Sequence, residues 1–263
     1  MTNGKRTLPD KARLGTSSER DMSGPQGEAG LSNGSSGLLS GILKRFAQVI
    51  IVSMVQAAVL FGVAGTFIWI WAWVYFCISF LSLLVNSIFL LRKNPQLVAE
   101  RGKAKLARTW DKIIGSLYAV SSFLAVPVVA ALDMRFAWSG QLPIGWHVGG
   151  AVVLALALAL AGWAMIENAF FSTAVRIQTD RGHTVCRSGP YRFVRHPGYV
   201  GFILQSLAIP LILGSTWAFV PGAVAAIALV LRTSFEDRAL QAELPGYREY
   251  AQEVRYRLLR GIW

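Results

Sequence analysis

Two short segments hold most of the side chains that can do chemistry. The first reads Arg187-Ser-Gly-Pro-Tyr-Arg-Phe-Val-Arg-His-Pro-Gly-Tyr-Val-Gly201 and passes from polar sequence straight into an apolar stretch. Pro197 suits the first turn of a helix, where its missing N–H costs nothing. A helix beginning there leaves the backbone N–H groups of Gly198 to Val200 beside Arg195 and His196, a seat for a carboxylate or phosphate. The second segment, Arg232-Thr-Ser-Phe-Glu-Asp-Arg-Ala-Leu240, sets Glu236 and Asp237 where the last apolar stretch gives way to polar sequence. A hairpin of the two intervening apolar stretches returns its ends to one place, so these acids are expected near His196 despite about forty residues of separation. Cations and anions together suit a zwitterion: its carboxylate takes Arg, His or helix-end donors and its ammonium takes a carboxylate. Tyr191, Phe193, Tyr199 and Phe235 are at hand to face a planar ring or a cation. Each group also has a plainer use, with Arg187, Arg192 and Arg195 as anchors on the positive side of a membrane, the tyrosines as interfacial belt, and the acids as a solvated helix end.

The elements that must position these residues are apolar. The chain of 263 residues is 54% hydrophobic and 15% charged, with a mean hydropathy of +0.45, whereas soluble domains carry roughly a quarter charged residues. Residues 47–91 run about 45 positions without a charge, enough for two membrane helices joined by a turn near residues 62–66. Residues 92–112 hold seven Lys or Arg against two acids, a third apolar helix is expected over residues 113–132, and a loop at 133–146 leads to a fourth ending near Phe171. A polar connector with five arginines fills residues 172–198, followed by apolar stretches at 199–213 and 217–231 that are short for full spans. The expected fold is all-α, a multi-pass transmembrane protein of about six helices with a C-terminal helical hairpin and a cytoplasmic site. Lys and Arg gather in 92–112, 172–198 and 232–263 and thin out in the other connections, which puts both termini in the cytoplasm.

The formal charge of +12 does not form one continuous patch, so nucleic acid is not an expected partner. Cys77 and Cys186 give no metal-ligand spacing, and no metal is expected; His147 and His183 read as surface residues. Residues 1–40, a mix of Gly, Ser, Pro and both charge signs without a signal-peptide core, read as a disordered cytoplasmic tail preceding a membrane domain at 41–263. Glu167 and Asn168 lie near membrane depth and are functional candidates, whereas Asn86 reads as a helix–helix contact.

Gly189-Pro190-Tyr191, Val194-Arg195-His196-Pro197-Gly198-Tyr199 with Gly201, Glu236-Asp237, Leu240, Gly246-Tyr247 and Tyr250 together resemble the isoprenylcysteine carboxyl methyltransferase family and its bacterial relatives, which share a C-terminal half with membrane phospholipid N-methyltransferases. The resemblance covers residues 182–263. The bacterial branch is also resembled through Asn94-Pro95, Thr109-Trp110-Asp111, Leu132-Asp133-Met134-Arg135-Phe136 with Trp138-Ser139, and Tyr256-Arg257-Leu258-Leu259. Two positions depart from it: Asp237 stands where a second Glu is common, and Arg260 where Pro is frequent.

The resemblance implies a methyltransferase of the bacterial inner membrane that uses S-adenosylmethionine, a cofactor with the zwitterionic end group described above. It implies that Tyr191, His196, Tyr199 and Glu236 line the cofactor site. The full expected set adds Arg192, Pro197, Gly198 and Asp237, with Arg195 and Glu236 nearest the reaction and Arg195 and Arg192 orienting a carboxylate. The expected partners are the lipid bilayer and a lipophilic or small-molecule methyl acceptor; the sequence leaves the oligomeric state open. Two alternatives are a membrane reductase of related C-terminal architecture that uses NADPH, and a transporter or scaffold without enzymatic activity. Ionisable groups gathered at one surface, with nearly uncharged spans, favour an interfacial site over a transport path.

Overall fold

A computed structural model describes residues 26–93, 108–172 and 174–263. The chain divides into two units, Met1–Leu39 and Ser40–Trp263. Helix assignment begins at Gln26, inside the segment read from composition as a tail, while residues 1–25 lie outside the described residues.

The described residues contain helices and no strand. In chain order these are α1 (Gln26–Ala64), α2 (Ile70–Lys93), α3 (Thr109–Phe136), α4 (Ile144–Glu167), α5 (Pro197–Leu213), α6 (Phe219–Glu243) and the short α7 (Tyr247–Glu253). Five segments, Phe46–Ala64 and all of α2, α3, α4 and α6, are long and apolar enough to cross a membrane, and α5 is a shorter apolar helix. The protein is thus an all-α, multi-pass membrane protein.

The largest departure from the expected elements is α6. It does not stop at residue 231 but runs 25 residues, to Glu243, straight through Arg232, Glu236 and Asp237. Charges end a membrane helix when they must reach water, but here Arg232 and Asp237 meet oppositely charged partners inside the protein, so the helix continues. The α3 helix likewise starts earlier than expected and contains a π-helical turn, Ser121–Ala125, just before Pro127. The N–H of Val126 reaches back to the carbonyl of Ser121, and the wider turn takes up the proline without ending the helix.

Small residues bring α4 and α5 together as close antiparallel neighbours. A Cβ on Gly201 would lie 2.6 Å from the carbonyl oxygen of Ala157, and one on Gly150 would lie 2.5 Å from the amide of Ile212. This is backbone-to-backbone packing of the kind membrane helices use in the absence of a hydrophobic drive. At the end away from the Arg-rich connector, the buried Asp133 accepts from the Ser139 amide at 2.7 Å and from the Ser215 hydroxyl, tying the end of α3 to the turn between α5 and α6. His147 stacks on Trp71 at 4.7 Å and bonds to the Ile212 carbonyl at 2.9 Å, so it clamps helices rather than facing solvent freely.

Candidate functional site

The start of α5, the last turns of α6, the helix α7 and the connector after α4 converge around one polar centre. That centre is Asp237, which is fully buried. Its Oδ1 accepts from Arg195 Nε at 2.8 Å and the Tyr247 hydroxyl at 3.0 Å, with His196 Nε2 at 3.2 Å. Its Oδ2 accepts from Arg195 Nη2 at 3.0 Å, Arg257 Nε at 2.9 Å and Gln241 Nε2 at 2.8 Å. Burying a carboxylate is costly unless it is both paired and hydrogen-bonded, and this one is both.

Arg195 is consumed by the same network. Besides its two bonds to Asp237, it donates to the carbonyls of Val254 and Arg255, each at 2.8 Å, and its side chain is only 6% exposed. The backbone continues the lock, since the amides of Arg195 and His196 donate to the carbonyls of Tyr256 and Arg257 at 2.9 Å. The guanidinium expected to orient a ligand carboxylate therefore holds the C-terminal segment onto α6. Arg192 is exposed and lies outside the cavity lining, and Pro197 and Asp237 are buried behind it.

Two of the three amides of the expected anion seat at the start of α5 are also taken. The amides of Tyr199 and Val200 bond to the His196 carbonyl at 3.1 and 3.3 Å, and the Phe171 ring covers Gly198 so closely that a Cβ there would meet it at 2.6 Å. A phenyl ring packs on the helix end beside the cavity described next.

Beside this lock is a cavity opening to solvent, lined by Tyr191, Arg195, His196, Gly198, Tyr199 and Glu236 among the expected residues. Glu236 is half-buried, one position along α6 from Asp237, and accepts a hydrogen bond from the Tyr199 hydroxyl. The apolar walls include Phe170, Phe171, Ile177, Val185, Leu240 and Leu244, and Arg108 and Arg176 also reach the lining. Arg108 pairs with Glu243 across partly exposed surface.

Beneath Tyr199, Arg232 and Asp111 form a buried ion pair at 2.8 Å that joins α6 to α3. The Arg232 guanidinium lies 5.6 Å from the centre of the Tyr199 ring, and Asp111 also accepts from the Val175 amide at 2.7 Å. Tyr191 is fixed by Asn168, whose amide reaches its hydroxyl at 3.4 Å, and by the Tyr250 hydroxyl, which donates to its carbonyl at 2.8 Å. Gly189 before it takes a positive φ of 56° against Glu167, which explains the Gly-Pro-Tyr turn. Burial pushes the Tyr191 and Tyr250 phenols well above their ordinary range, and burial together with the Asp237 carboxylate does the same to Tyr247, so all three act as hydrogen-bond donors.

The sequence reading did not place Asp111, Arg232, Phe170, Phe171 or His183 at the site. The first two carry a signal that was available, a charge next to each of two apolar stretches. His183 is no surface residue. It stacks on Phe170 at 4.5 Å and its Nδ1 accepts from the Gln178 amide at 3.3 Å. Burial, with Arg181 and Arg176 nearby, lowers its pKa from 6.5 to about 4. The unfolded chain therefore takes up a proton near pH 6.5 that the folded chain refuses until about pH 4. This contribution to stability is present above 6.5 and is lost as the pH falls toward 4. Melting temperature measured from pH 7.5 to 4.5 is expected to fall less steeply in His183→Gln than in the wild type, and parallel curves would exclude the assignment.

A bundle of membrane-length helices with a polar cavity between apolar walls defines a multi-pass membrane protein with a candidate site. Residues 150–242 match the isoprenylcysteine carboxyl methyltransferase (ICMT) family. The chain is 29% identical over 164 residues to a methanethiol S-methyltransferase of Mycobacterium tuberculosis, covering 56% of this chain and 66% of that protein. It is 31% identical over 112 residues to a probable protein-S-isoprenylcysteine O-methyltransferase of rice, covering 40% of this chain and about half (53%) of that relative. It is also 24% identical over 152 residues, 57% of this chain and 85% of the relative, to the uncharacterized protein YpbQ of Bacillus subtilis. The family match and the two methyltransferase relatives, on a chain of apolar helices, support an integral membrane methyltransferase.

Proposed function

We propose that the chain transfers a methyl group from S-adenosylmethionine, bound in the Glu236 cavity, to a small or lipophilic acceptor at the cytoplasmic face of the membrane. The observation that carries this reading is the division of labour between neighbouring acids. Asp237 is spent on the structural lock, while Glu236 faces the cavity with one phenol as partner. A carboxylate so placed suits an ammonium.

The residues present fit the cofactor. Glu236 would hold its amino group, Arg108 and Arg176 at the lining are the cations within reach of its carboxylate, and Phe170, Phe171, Ile177 and Leu240 offer faces to its adenine. S-adenosylmethionine supplies an electrophilic methyl group when bound. The protein's part is alignment and the exclusion of water, which the apolar walls serve, and an anionic acceptor needs no dedicated base. His196, held by Asp237 and Tyr247, keeps the start of α5 fixed against α6. The cytoplasmic assignment rests on the Lys and Arg of residues 172–198 and 232–263, which accompany the site.

Purified protein in detergent is offered methyl-labelled S-adenosylmethionine with methanethiol, a prenylated cysteine or a membrane lipid extract, and NADPH binding is measured alongside. Label is expected in the product of one acceptor. Folded protein that binds NADPH but not S-adenosylmethionine would replace this reading with the reductase.

A further inference from the structure

A second cavity, of about 640 Å³, lies among the spans, between α1, α2, the π-helical turn of α3, α4 and α5. Its size is that of an ordinary small-molecule site. Among the described residues no Asp, Glu, Lys, Arg or His lines it, yet its wall is not purely apolar, for it presents Gln56 of α1, Tyr75, Ser79 and Asn86 of α2, and Gln205 of α5. Polar groups at membrane depth are costly unless they find partners. Gln56 donates to the Tyr75 hydroxyl, and Asn86 reaches Ser82 at a long 3.4 Å. Gln205 has no hydrogen-bond partner among the described residues.

The band is built into the packing. Asn86 is seated against Gly162 of α4, where a Cβ would lie 2.2 Å from its Oδ1, so the glycine makes room for the amide. The cavity also adjoins the site described above. The Phe202 ring on its wall sits 6.5 Å from the Phe171 ring, which lines the Glu236 cavity.

We propose that this cavity binds a neutral lipid whose hydroxyl, amide or carbonyl group is held at bilayer depth by Asn86 and Gln205. A charged headgroup finds no countercharge in the cavity. A plain hydrocarbon leaves Gln205 without a partner and Asn86 with its long bond to Ser82 alone. A neutral group that donates or accepts hydrogen bonds satisfies both conditions.

The test uses the full chain in phosphatidylcholine nanodiscs and three probes of equal chain length carrying a diazirine: a long-chain alcohol, the corresponding fatty acid and the corresponding alkane. The alcohol is expected to label peptides of α2 and α5 about fivefold more than the other two, and Asn86→Leu and Gln205→Leu are each expected to lower that labelling by about fivefold. Both variants replace polar with apolar groups inside the bilayer, and their melting temperatures and S-adenosylmethionine binding are measured on the same samples. Equal labelling by the alkane, or alcohol labelling that neither variant lowers, overturns the proposal. Alcohol labelling in a protein that does not bind S-adenosylmethionine keeps the lipid site and removes the methyltransferase reading; cofactor binding without alcohol labelling removes the lipid site alone.

Discussion

Asp237→Ala is expected to destabilise the folded protein by about 3–5 kcal/mol, the cost of leaving buried cations without their anion. The carboxylate has no exposed surface and serves Arg195, Arg257, His196, Tyr247 and Gln241 at once. Arg195, itself only 6% exposed, would be left buried with carbonyl partners but without its countercharge. Asp237→Asn keeps the shape but removes the charge and sets an amide N–H group against donors, so it is expected to cost nearly as much. Thermal unfolding in detergent without ligand reads the effect directly. A melting temperature within a few degrees of the wild type would mean that the network is not what holds the C-terminal segment to α6.

Glu236→Gln is expected to do the opposite, leaving the unliganded fold intact and weakening S-adenosylmethionine binding by roughly ten- to a hundredfold. The side chain is half-buried and its partner is the Tyr199 hydroxyl, which an amide oxygen can still accept from. What is lost is the charge offered to an ammonium, and a hydrogen bond to a charged group is worth about 1.5–3 kcal/mol, with 1.4 kcal/mol per tenfold. Calorimetry on the two proteins decides it. Equal affinities would remove Glu236 from the cofactor site, while a variant that no longer folds would assign it to the lock with Asp237. The contrast between adjacent residues, one governing melting and the other binding, is sharper than either result alone.

Much of the frame was legible because bilayer thickness imposes a length on apolar segments. The span beginning at Ile70, the apolar body of α4 and the hairpin of α5 and α6 follow from hydropathy and the placement of Lys and Arg. The continuation of α6 to Glu243 was not legible. Charges signal an exit from the membrane unless their partners are known, and those partners, Asp111, Arg195 and Arg257, lie up to 121 residues away in sequence. The same limit governs the site. The order of Arg195, His196, Tyr199, Glu236 and Asp237 was readable, and the hairpin argument placed them in one region. Which acid points into the cavity and which is sealed behind it depends on the 100° step between neighbouring helix positions and on what packs against each face. Phe171 shows this too, since nothing in a phenylalanine 27 residues before Gly198 announces that it will cover a helix end.

The lock around Asp237 also sets an order of events in synthesis. Its members come from the start of α5, from α6, from α7 and from Arg257, and each contributes to the same two carboxylate oxygens. A nascent chain released or stalled before Arg257 leaves the ribosome holds every apolar span and lacks one of the cations of the lock. Insertion into the bilayer and completion of the polar centre are therefore separable. A chain cut before Arg257 is expected to insert fully and to hold its C-terminal segment less tightly to α6.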